Sequence, residues 1–472
     1  MASSTTIKYN NVVVHESTAS ETLNLPTNGK LMNGDIEIDV HIDKVVGDND
    51  VEFIDYDGDV VDSYTAAEFA ELTALPPNPT HEGLIAQGWN WSLADAKSFV
   101  ATYGRITIGQ NYITDDNTTR LYITLGESRL SPYLGIGVKG TATIDWGDDS
   151  TPDTITGSSL STILYTQHIY AQAGDYVITL TGNVGFGNRT ILRVKNTGSA
   201  DNADIVYASA LTKVEVGSMT QLQSGAFYNC YSLSAITIPN GVTTIGTNVF
   251  RSCRALTAIV IPKDVTKIQS SCFYNCYSLT NVSLNGNLTQ IQNSGFAYCY
   301  SLRYITIPGK VTTLADSCFS TDYALADVLI PDSVTSMGEK AFYLTNSLRK
   351  IRLSNNIAEI KQLAFQNCYA LSEINIPTSL TAIGNTVFQN NFSIANLTFP
   401  TGLTSIGSAA FSECNGLRFI RFKSLIPPAV SASTTFQGLP TECIIYVPVG
   451  TLADYTTATN YPSSATYTYV EE

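Results

Sequence analysis

Charged residues are scarce in this 472-residue chain: Asp, Glu, Lys and Arg make up 14% of it, where roughly a quarter is usual. Only four histidines occur, scattered through the N-terminal part, and no H-E-x-x-H, G-x-S-x-G or P-loop motif is present. No apolar run approaches the ~20 residues that a membrane-spanning helix needs. We therefore expect neither enzymatic activity nor membrane insertion. The uncharged polar composition favours a β-rich protein exposed outside a cell or on a virus particle.

Signals for export and for nucleic-acid binding are also missing. Residues 1–17 lack the apolar core of a signal peptide, so synthesis in the cytoplasm is expected. The net charge of −15 is concentrated in residues 1–226, which carry 12 Lys and Arg against 28 Asp and Glu. Because this half should repel polyanions, no nucleic-acid partner is expected. Residues 227–426 carry 14 against 9, so only this region could attract an anionic ligand.

Nine phenylalanines in a 23-residue register organise the C-terminal half. They are Phe227, Phe250, Phe273, Phe296, Phe319, Phe342, Phe365, Phe388 and Phe411. Such a period is typical of a solenoid, in which each repeat buries its apolar side only against its neighbours. Apolar residues recur 6, 9, 11, 15 and 18 positions after each register phenylalanine, and the L-x-x-I-x-I core predicts one short strand per repeat.

The repeat unit AFYNCYSLSAITIPNGVTTIG, residues 226–246, closely resembles the leucine-rich repeat of BspA-like bacterial surface proteins. The segment that starts at Ile426 resembles the C-terminal cap of that family. The resemblance implies a leucine-rich-repeat solenoid over residues 201–426 and a cap over residues 427–472. It also implies a non-enzymatic binding protein.

Six of the nine cysteines share one repeat position, three residues after a register phenylalanine. They are Cys230, Cys253, Cys276, Cys299, Cys368 and Cys414. At one position they should stack as buried structural thiols, with disulfides or a metal site as the alternative. No histidine follows Phe227 and no C-x-x-C pair occurs, so zinc is not expected. The sequence predicts no metal and no cofactor.

Residues 1–46 alternate as strands do, with a tight turn predicted at Asn33-Gly34. The segment resembles a β-element found at the start of prophage-encoded tail-associated proteins. The resemblance implies contact with other virion or tail proteins through the N-terminal region. The matching residues are Leu23, Leu25, Gly29, Lys30, Asp35, Ile36 and Val40.

Residues 47–104 predict a small α+β spacer with a helix from Thr65 and a second helix capped by Ser92. Asp55, Asp57 and Asp59 could form a calcium loop or a plain acidic turn, and the full calcium-loop pattern is absent. The spacer resembles the Listeria–Bacteroides repeat of bacterial surface proteins. The matching pieces are Asp57-Gly58, Leu75-Pro76, Pro79-Thr80, Glu82-Gly83 and Gly88-Trp89.

Residues 105–200 are rich in strand patterns and contain TIDWGDDS and QHIYAQAGDYVITLTG. These two segments resemble the PKD domain, an immunoglobulin-like β-sandwich, in which Trp146 would be a core residue. Asp149 departs from the usual glycine, and His168 is expected to be structural. The matching residues are Trp146, Gly147, Asp148, His168, Tyr170, Gly174, Tyr176 and Leu180.

Two sets of repeat residues are candidate ligand contacts. Strand positions 7, 8 and 10 after each register phenylalanine should point outward, and most are small or polar. Three repeats carry cations and aromatics there, which could bind a carboxylate, phosphate or glycan, or could be solvated surface charge. They are Arg303 and Tyr304; Arg349, Lys350 and Arg352; and Arg418, Phe419 and Arg421.

The second set lies four residues after the register phenylalanine, at one edge of the predicted sheet. Stacked aromatics there could stiffen the solenoid, form a ligand platform, or do both. They are Tyr231, Tyr277, Tyr300, Tyr323, Tyr369 and Phe392.

Taken together, the sequence predicts a mainly β, multidomain recognition protein: a β-element, an α+β spacer, a PKD-like sandwich and a capped leucine-rich-repeat solenoid. We expect its partner to be a cell-surface glycan or protein. The N-terminal resemblance favours a phage or prophage tail-associated receptor-binding protein, located in the virion. The alternative is a bacterial cell-surface adhesin of the BspA-like kind.

Overall fold

The computed structural model describes residues 50–187, 191–193 and 205–472, together with four strands within residues 1–49. The chain divides into two compact units, residues 1–49 and 50–472. In the first unit, β1 (Ser4–Tyr9) pairs antiparallel with β2 (Val12–Thr18), and β3 (Asn28–Asn33) pairs antiparallel with β4 (Ile36–His41). Gly34 of the predicted turn and Leu23, Leu25 and Asp35 of the N-terminal resemblance lie outside the described residues.

A four-stranded sheet with two helices forms the start of the second unit. Its strands run in the order β6 (Val60–Tyr64), β5 (Val51–Ile54), β8 (Ile106–Thr114) and β7 (Leu84–Trp89). Helix α1 (Ala66–Glu71) begins at Thr65 with a capping box, and α2 (Leu93–Tyr103) begins at Ser92. Both predicted helix starts are confirmed. We call residues 50–114 the α+β unit, because β8, which the sequence analysis assigned to the following β-rich segment, pairs with β5 and β7.

Strands β9 (Thr119–Leu125), β10 (Tyr133–Asp145), β11 (Asp153–Gln167), β12 (Gly174–Gly185) and β13 (Leu192–Arg193) follow. Two separate sheets were expected here, but hydrogen bonds join these strands into one sheet. The reason is β10, whose first two residues pair with β13 and whose residues from Gly137 onward pair with β12, while β11 pairs along nearly its whole length. The likeness to a PKD sandwich therefore stays a resemblance.

The two PKD-like motifs meet in the core of this sheet. Trp146 is fully buried, and the ring of His168 stacks on it at 4.7 Å between centroids. His168 Nε2 lies 2.8 Å from the carboxylate of Asp148, and the Tyr170 hydroxyl donates to the Trp146 carbonyl oxygen. His168 is thus held by packing and by a carboxylate, as a structural residue is.

The repeats form two ladders of short parallel strands. The first ladder continues directly from the preceding sheet, because β14 (Leu211–Glu215), after α3 (Ile205–Ala208), pairs with β9 on one side and with the first repeat strand on the other. Its further strands are β16 (Ala235–Thr237), β18 (Ala258–Val260), β20 (Asn281–Ser283), β22 (Tyr304–Thr306), β24 (Asp327–Leu329), β26 (Lys350–Arg352), β28 (Glu373–Ile374), β30 (Asn396–Phe399), β32 (Phe419–Phe422), β34 (Ile444–Val447) and β35 (Thr468–Glu471).

The second ladder lies between these strands in sequence. Its strands are β15 (Gln221–Leu222), β17 (Thr244–Ile245), β19 (Lys267–Ile268), β21 (Gln290–Ile291), β23 (Thr313–Leu314), β25 (Ser336–Met337), β27 (Glu359–Ile360), β29 (Ala382–Ile383), β31 (Ser405–Ile406) and β33 (Ala429–Val430). The mainly β solenoid that the 23-residue period predicts is confirmed.

The register phenylalanines form the spine of the solenoid. Each is fully buried, and neighbouring rings stack with centroids 5.1 to 5.9 Å apart and planes within 16°. The residue two positions later adopts a left-handed conformation in every repeat, with φ between 58° and 66°. Asn tolerates this conformation best among residues with a side chain, which explains Asn229, Asn275, Asn367 and Asn390 at this position.

Both ends of the phenylalanine stack are covered. Phe186 packs edge-on against Phe227 at one end, and Phe436, from the 3-10 turn Ser433–Phe436, stacks on Phe411 at the other. Helix α4 (Leu452–Thr457) contributes the buried Tyr455, whose hydroxyl donates to the Ser424 carbonyl oxygen. None of the described helices has the length and apolar character that a bilayer crossing requires.

Candidate binding site on the strand face

The outward side of the first ladder, called the strand face below, is covered over its first repeats by the α+β unit. Strand β8 crosses this face at Gly109, where an added Cβ would lie 2.6 Å from Val260 and 2.9 Å from Ser283. Thr237, Val260 and Ser283 point outward from their strands yet are at most 4% exposed. These positions are small because another backbone packs directly on them.

Hydrogen bonds across this contact satisfy the buried polar groups on both sides. The Asn90 amide donates to the backbone carbonyls of Ile261 and Ser283, both at 3.2 Å, and to the Ser283 hydroxyl at 3.0 Å. The Trp91 indole N–H donates to the Leu284 carbonyl oxygen at 2.7 Å. Moving the α+β unit would leave these buried polar groups unsatisfied, which typically costs about 1–3 kcal/mol for each group. The hydrogen bonds therefore fix the position of the unit on the strand face.

Tyr304 marks the limit of the covered region. The Arg105 guanidinium lies 3.8 Å above its ring, and its hydroxyl donates to the Glu52 carboxylate at 3.0 Å. Burial, followed by the negative charge of Glu52, raises the pKa of Tyr304 to about 12. Tyr304, predicted as an open ligand contact, is therefore largely engaged with the α+β unit.

A cleft of about 250 Å³ opens at this border, between α2 and strands β22, β24 and β26. One wall is aromatic and the floor is formed by the strand face. Cations and one carboxylate stand at its rim. Its lining consists of Phe99, Tyr103, Arg105, Tyr304, Ile305, Thr306, Ile307, Asp327, Val328, Leu329, Lys350 and Arg352.

The second predicted cationic group lies at this cleft, but each of its cations faces a carboxylate. Equal positions of neighbouring parallel strands lie about 4.8 Å apart, so that Lys350 stands between Asp327 and Glu373. The rim is therefore a set of balanced charges, and ligand binding by this group stays a prediction. The ion pairs are Arg349–Asp327 (3.8 Å), Lys350–Glu373 (3.0 Å) and Arg352–Asp332 (3.0 Å).

The remaining predicted cations are Arg421, which forms an ion pair, and Arg303 and Arg418. Arg421 pairs with the Glu472 carboxylate and lies about 5 Å from the rings of Phe419 and Tyr446. Arg303 and Arg418 are exposed and have no ion-pair partner in the described part of the chain. The three groups therefore do not form one continuous basic site.

The aromatic residues four positions after the register phenylalanine form a line that we call the tyrosine edge. Tyr277, Tyr300 and Tyr323 stack face to face, at 4.6 and 4.9 Å between centroids, and Tyr369 stacks on Phe392 at 5.3 Å. Because stacked rings cover one another's faces, most of this edge presents ring edges and hydroxyls to a ligand. The stacking fits the predicted stiffening role, and a ligand platform on this edge stays a prediction.

Arg254 occupies the same repeat position and extends the tyrosine edge. Its guanidinium carbon lies 4.5 Å from the ring centroid of Tyr231 and 5.1 Å from that of Tyr277. A cation between two aromatic faces is favourable because both faces carry partial negative charge. Tyr231 is thereby joined to the rest of the stack.

The cysteines are structural thiols. All nine are free and buried, so the disulfide alternative is wrong. Burial raises the pKa of each thiol in the ladder. The thiol of Cys253 lies 3.2 Å from the Phe227 carbonyl oxygen, and each later ladder cysteine contacts the corresponding phenylalanine carbonyl. Thr345 and Asn391 make the same bond where cysteine is replaced.

The acidic turn at residues 55–59 folds around a histidine. Asp55 is buried, with its carboxylate 2.6 Å from His81 Nε2, and the Gly58 N–H donates to the Asp55 carbonyl oxygen. Asp57 instead accepts from the backbone N–H of Asp59. No group of three or more His, Cys, Asp or Glu suited to a metal ion occurs in the described residues.

Sequence reasoning missed the residues from α2 that line the cleft, Phe99 and Tyr103, and it missed Arg105. The run of small outward residues from Ala235 to Ser283 was the available signal, because a solvated face has no need for small side chains. Which segment covers that run could not be read from the pattern.

One comparison with known proteins concerns the repeats. Residues 203–326 and 312–430 match the profile of the BspA type leucine rich repeat region, in six copies. These residues lie in the solenoid, and the matched family is the one that its repeat unit resembles. No curated protein matches the chain. The matched residues do not include the PKD-like or N-terminal segments, whose resemblances stay predictions.

Several solved structures are similar to this chain. One is a leucine-rich repeat protein from Bacteroides ovatus, 21% identical, covering 64% of this chain and 90% of that one, with a TM-score of 0.34. Another is a leucine rich cell surface protein from Faecalibacterium prausnitzii, 21% identical, covering 60% and 93%, with a TM-score of 0.30. A third is the pneumococcal vaccine antigen PcpA, 17% identical, covering 54% and 77%, with a TM-score of 0.34.

Proposed function

We propose that this chain is a non-enzymatic, adhesion-type recognition protein that binds its ligand in the cleft between α2 and strands β22 to β26. The observation that carries the proposal is the division of the strand face. Its first repeats are closed by the α+β unit, and its later repeats are open. The cleft lies where the two regions meet, so it combines side chains from both.

The lining of the cleft indicates the kind of ligand group that it accepts. Phe99 and Tyr103 offer apolar ring surface, while Arg352, Lys350 and Asp327 offer donors and an acceptor at the rim. Ligand sites commonly combine an apolar lining with a few placed polar groups. A cleft of about 250 Å³ suits one ring-sized group, such as a sugar ring or one large side chain of a protein, presented by a cell surface.

A bacterial cell surface is the location that we favour. The BspA-type repeats support it, as does a polar surface with few charges. The tail-associated alternative depends on residues 23–40, and the comparisons add nothing to it. Detection of the chain in purified phage particles would favour that alternative, while labelling on the surface of intact, non-induced cells would favour the adhesin.

Filling the cleft tests the site. Leu329→Trp places an indole in the cleft, and Thr398→Trp places one at the same repeat position on β30, away from it. Both variants and the unchanged chain would be applied to a glycan array and to a panel of immobilised extracellular proteins. We expect Leu329→Trp to lose at least ten-fold in affinity for the ligand that the unchanged chain selects, and Thr398→Trp to retain it. Equal affinity of the two variants would overturn the assignment.

A further inference from the structure

The tyrosine edge is interrupted at Asn346. Tyr323 lies one repeat before this residue and Tyr369 one repeat after it, so the two rings stand about two strand spacings, or roughly 10 Å, apart. Tyr323 and Tyr369 are 39% and 38% exposed. Tyr277 and Tyr300, which stack on each other, are less exposed. One face of the Tyr323 ring and one face of the Tyr369 ring therefore border an open slot above Asn346.

The same chain shows what fits such a slot. Four repeats earlier, Arg254 fills the corresponding place between Tyr231 and Tyr277, with its guanidinium carbon 4.5 and 5.1 Å from the two centroids. Arg251 lies between Tyr228 and Tyr274 in a neighbouring line, at 5.8 and 4.4 Å. Two independent positions thus hold a guanidinium between tyrosine rings two repeats apart.

The backbone is equivalent at Arg254 and Asn346, so the comparison is direct. The residue after Arg254 donates its backbone N–H to the Tyr231 carbonyl oxygen at 3.0 Å, and the residue after Asn346 donates to the Tyr323 carbonyl oxygen at 3.2 Å. The Arg254 and Asn346 carbonyl oxygens each accept a backbone N–H from the following repeat at 3.2 Å.

The Asn346 side chain leaves the slot open. With the amide turned so that its nitrogen meets acceptors, Asn346 donates to the backbone carbonyl oxygens of Leu344 and Asn367, at 3.2 and 3.0 Å. The amide is therefore held against the backbone. An asparagine bound in this way cannot reach between the ring faces as the longer arginine does.

We propose that the slot between Tyr323 and Tyr369 binds the guanidinium of an arginine side chain on a protein partner. Ring faces attract cations, and this chain already holds the Arg254 guanidinium between two tyrosine rings at the equivalent place. A planar guanidinium fits between two parallel rings, whereas the tetrahedral ammonium of lysine does not stack. This slot is separate from the cleft, and the proposal does not depend on ligand binding in the cleft.

Three acetylated and amidated pentapeptides, Gly-Gly-X-Gly-Gly with X as arginine, lysine or citrulline, test this site in the full chain. Citrulline keeps the planar shape without the charge, and lysine keeps the charge without the plane. Binding would be followed by calorimetric titration and by perturbation of tyrosine resonances. We expect one site for the arginine peptide, with at least five-fold weaker binding of the other two.

One variant closes the slot, and a second opens the corresponding place four repeats earlier. Asn346→Arg supplies the guanidinium from within the chain and should abolish the site. Arg254→Ala empties the corresponding place between Tyr231 and Tyr277, so the stoichiometry should rise from one to two. Leu329→Trp, which fills the cleft, should leave arginine-peptide binding unchanged. Equal binding of the arginine and lysine peptides, or unchanged binding to a folded Asn346→Arg variant, would overturn the proposal.

Discussion

The indole N–H of Trp91 donates a 2.7 Å hydrogen bond to the backbone carbonyl oxygen of Leu284, 193 residues later in the chain. This bond joins the α+β unit to the strand face of the solenoid. A unit that the sequence predicts as a spacer is therefore docked on the strand face. It closes the early repeats and provides one wall of the cleft.

Replacement of Gly109 by alanine should weaken this contact. The new Cβ would lie 2.6 Å from Val260 and 2.9 Å from Ser283, closer than real Cβ contacts occur, so the unit must shift from the face. Overpacking of this kind costs about 1–3 kcal/mol. We expect the free energy of unfolding, measured in denaturant, to fall by that amount. Gly126→Ala is the matched control, because its Cβ would meet nothing within 4 Å, and a loss as large there would contradict this explanation.

The buried carboxyl of Asp322 should make the solenoid less stable as pH rises. Asp322 occupies a cysteine position of the ladder and accepts the Cys299 backbone N–H at 2.8 Å, while its second oxygen is buried without a partner. Burial raises the pKa of Asp322 well above its usual value. The folded state therefore holds the proton more tightly than the unfolded state does. The stability that protonated Asp322 contributes is fully present below about pH 4, the pKa of an aspartate in the unfolded chain. It is lost as pH rises toward the higher pKa of Asp322 in the folded chain.

Asp322→Asn should remove this pH dependence. Asn391 shows that an amide at this repeat position donates to a phenylalanine carbonyl oxygen, that of Phe365, at 2.8 Å. We expect the variant to be more stable than the unchanged chain at pH 7, by about 1–3 kcal/mol, the usual cost of leaving a buried polar group unsatisfied. Denaturant unfolding between pH 4 and 8 measures both effects, and a variant that keeps the original slope would show that another group is responsible.

The nine cysteines should be unreactive in the folded chain. Each is buried, and desolvation raises the pKa of the thiols, so the reactive thiolate is scarce at neutral pH. A colorimetric thiol reagent should detect none of them in native buffer and all nine in denaturant. Rapid native reaction of even one ladder cysteine would show that the repeats open locally.

The sequence predicted the repeats well because their constraints are local and recur. Every register phenylalanine stacks on another one repeat away, so a single pattern defines all of them. The helix starts at Thr65 and Ser92 were equally readable, since a cap acts within three residues.

The arrangement of the candidate site was less predictable because it depends on contacts distant in sequence. Asp327, Lys350 and Glu373 follow one another at the 23-residue period, so their pairing was readable from the repeat, but sequence reasoning missed it. The aromatic wall formed by Phe99 and Tyr103 comes from a helix more than 200 residues before the strands that it faces. Docking between segments so far apart is set by complementary shape, which a single sequence does not display.

The most direct test of the docked α+β unit is a double-mutant cycle on Asn90 and Ser283. Free energies of unfolding would be measured for Asn90→Ala, Ser283→Ala and the double variant. Residues in direct contact couple by about 0.5–3 kcal/mol, whereas distant residues add within about 0.5 kcal/mol. The 3.0 Å hydrogen bond between the two side chains predicts a coupling of about 1 kcal/mol or more. Additive effects would show that the α+β unit does not rest on the strand face.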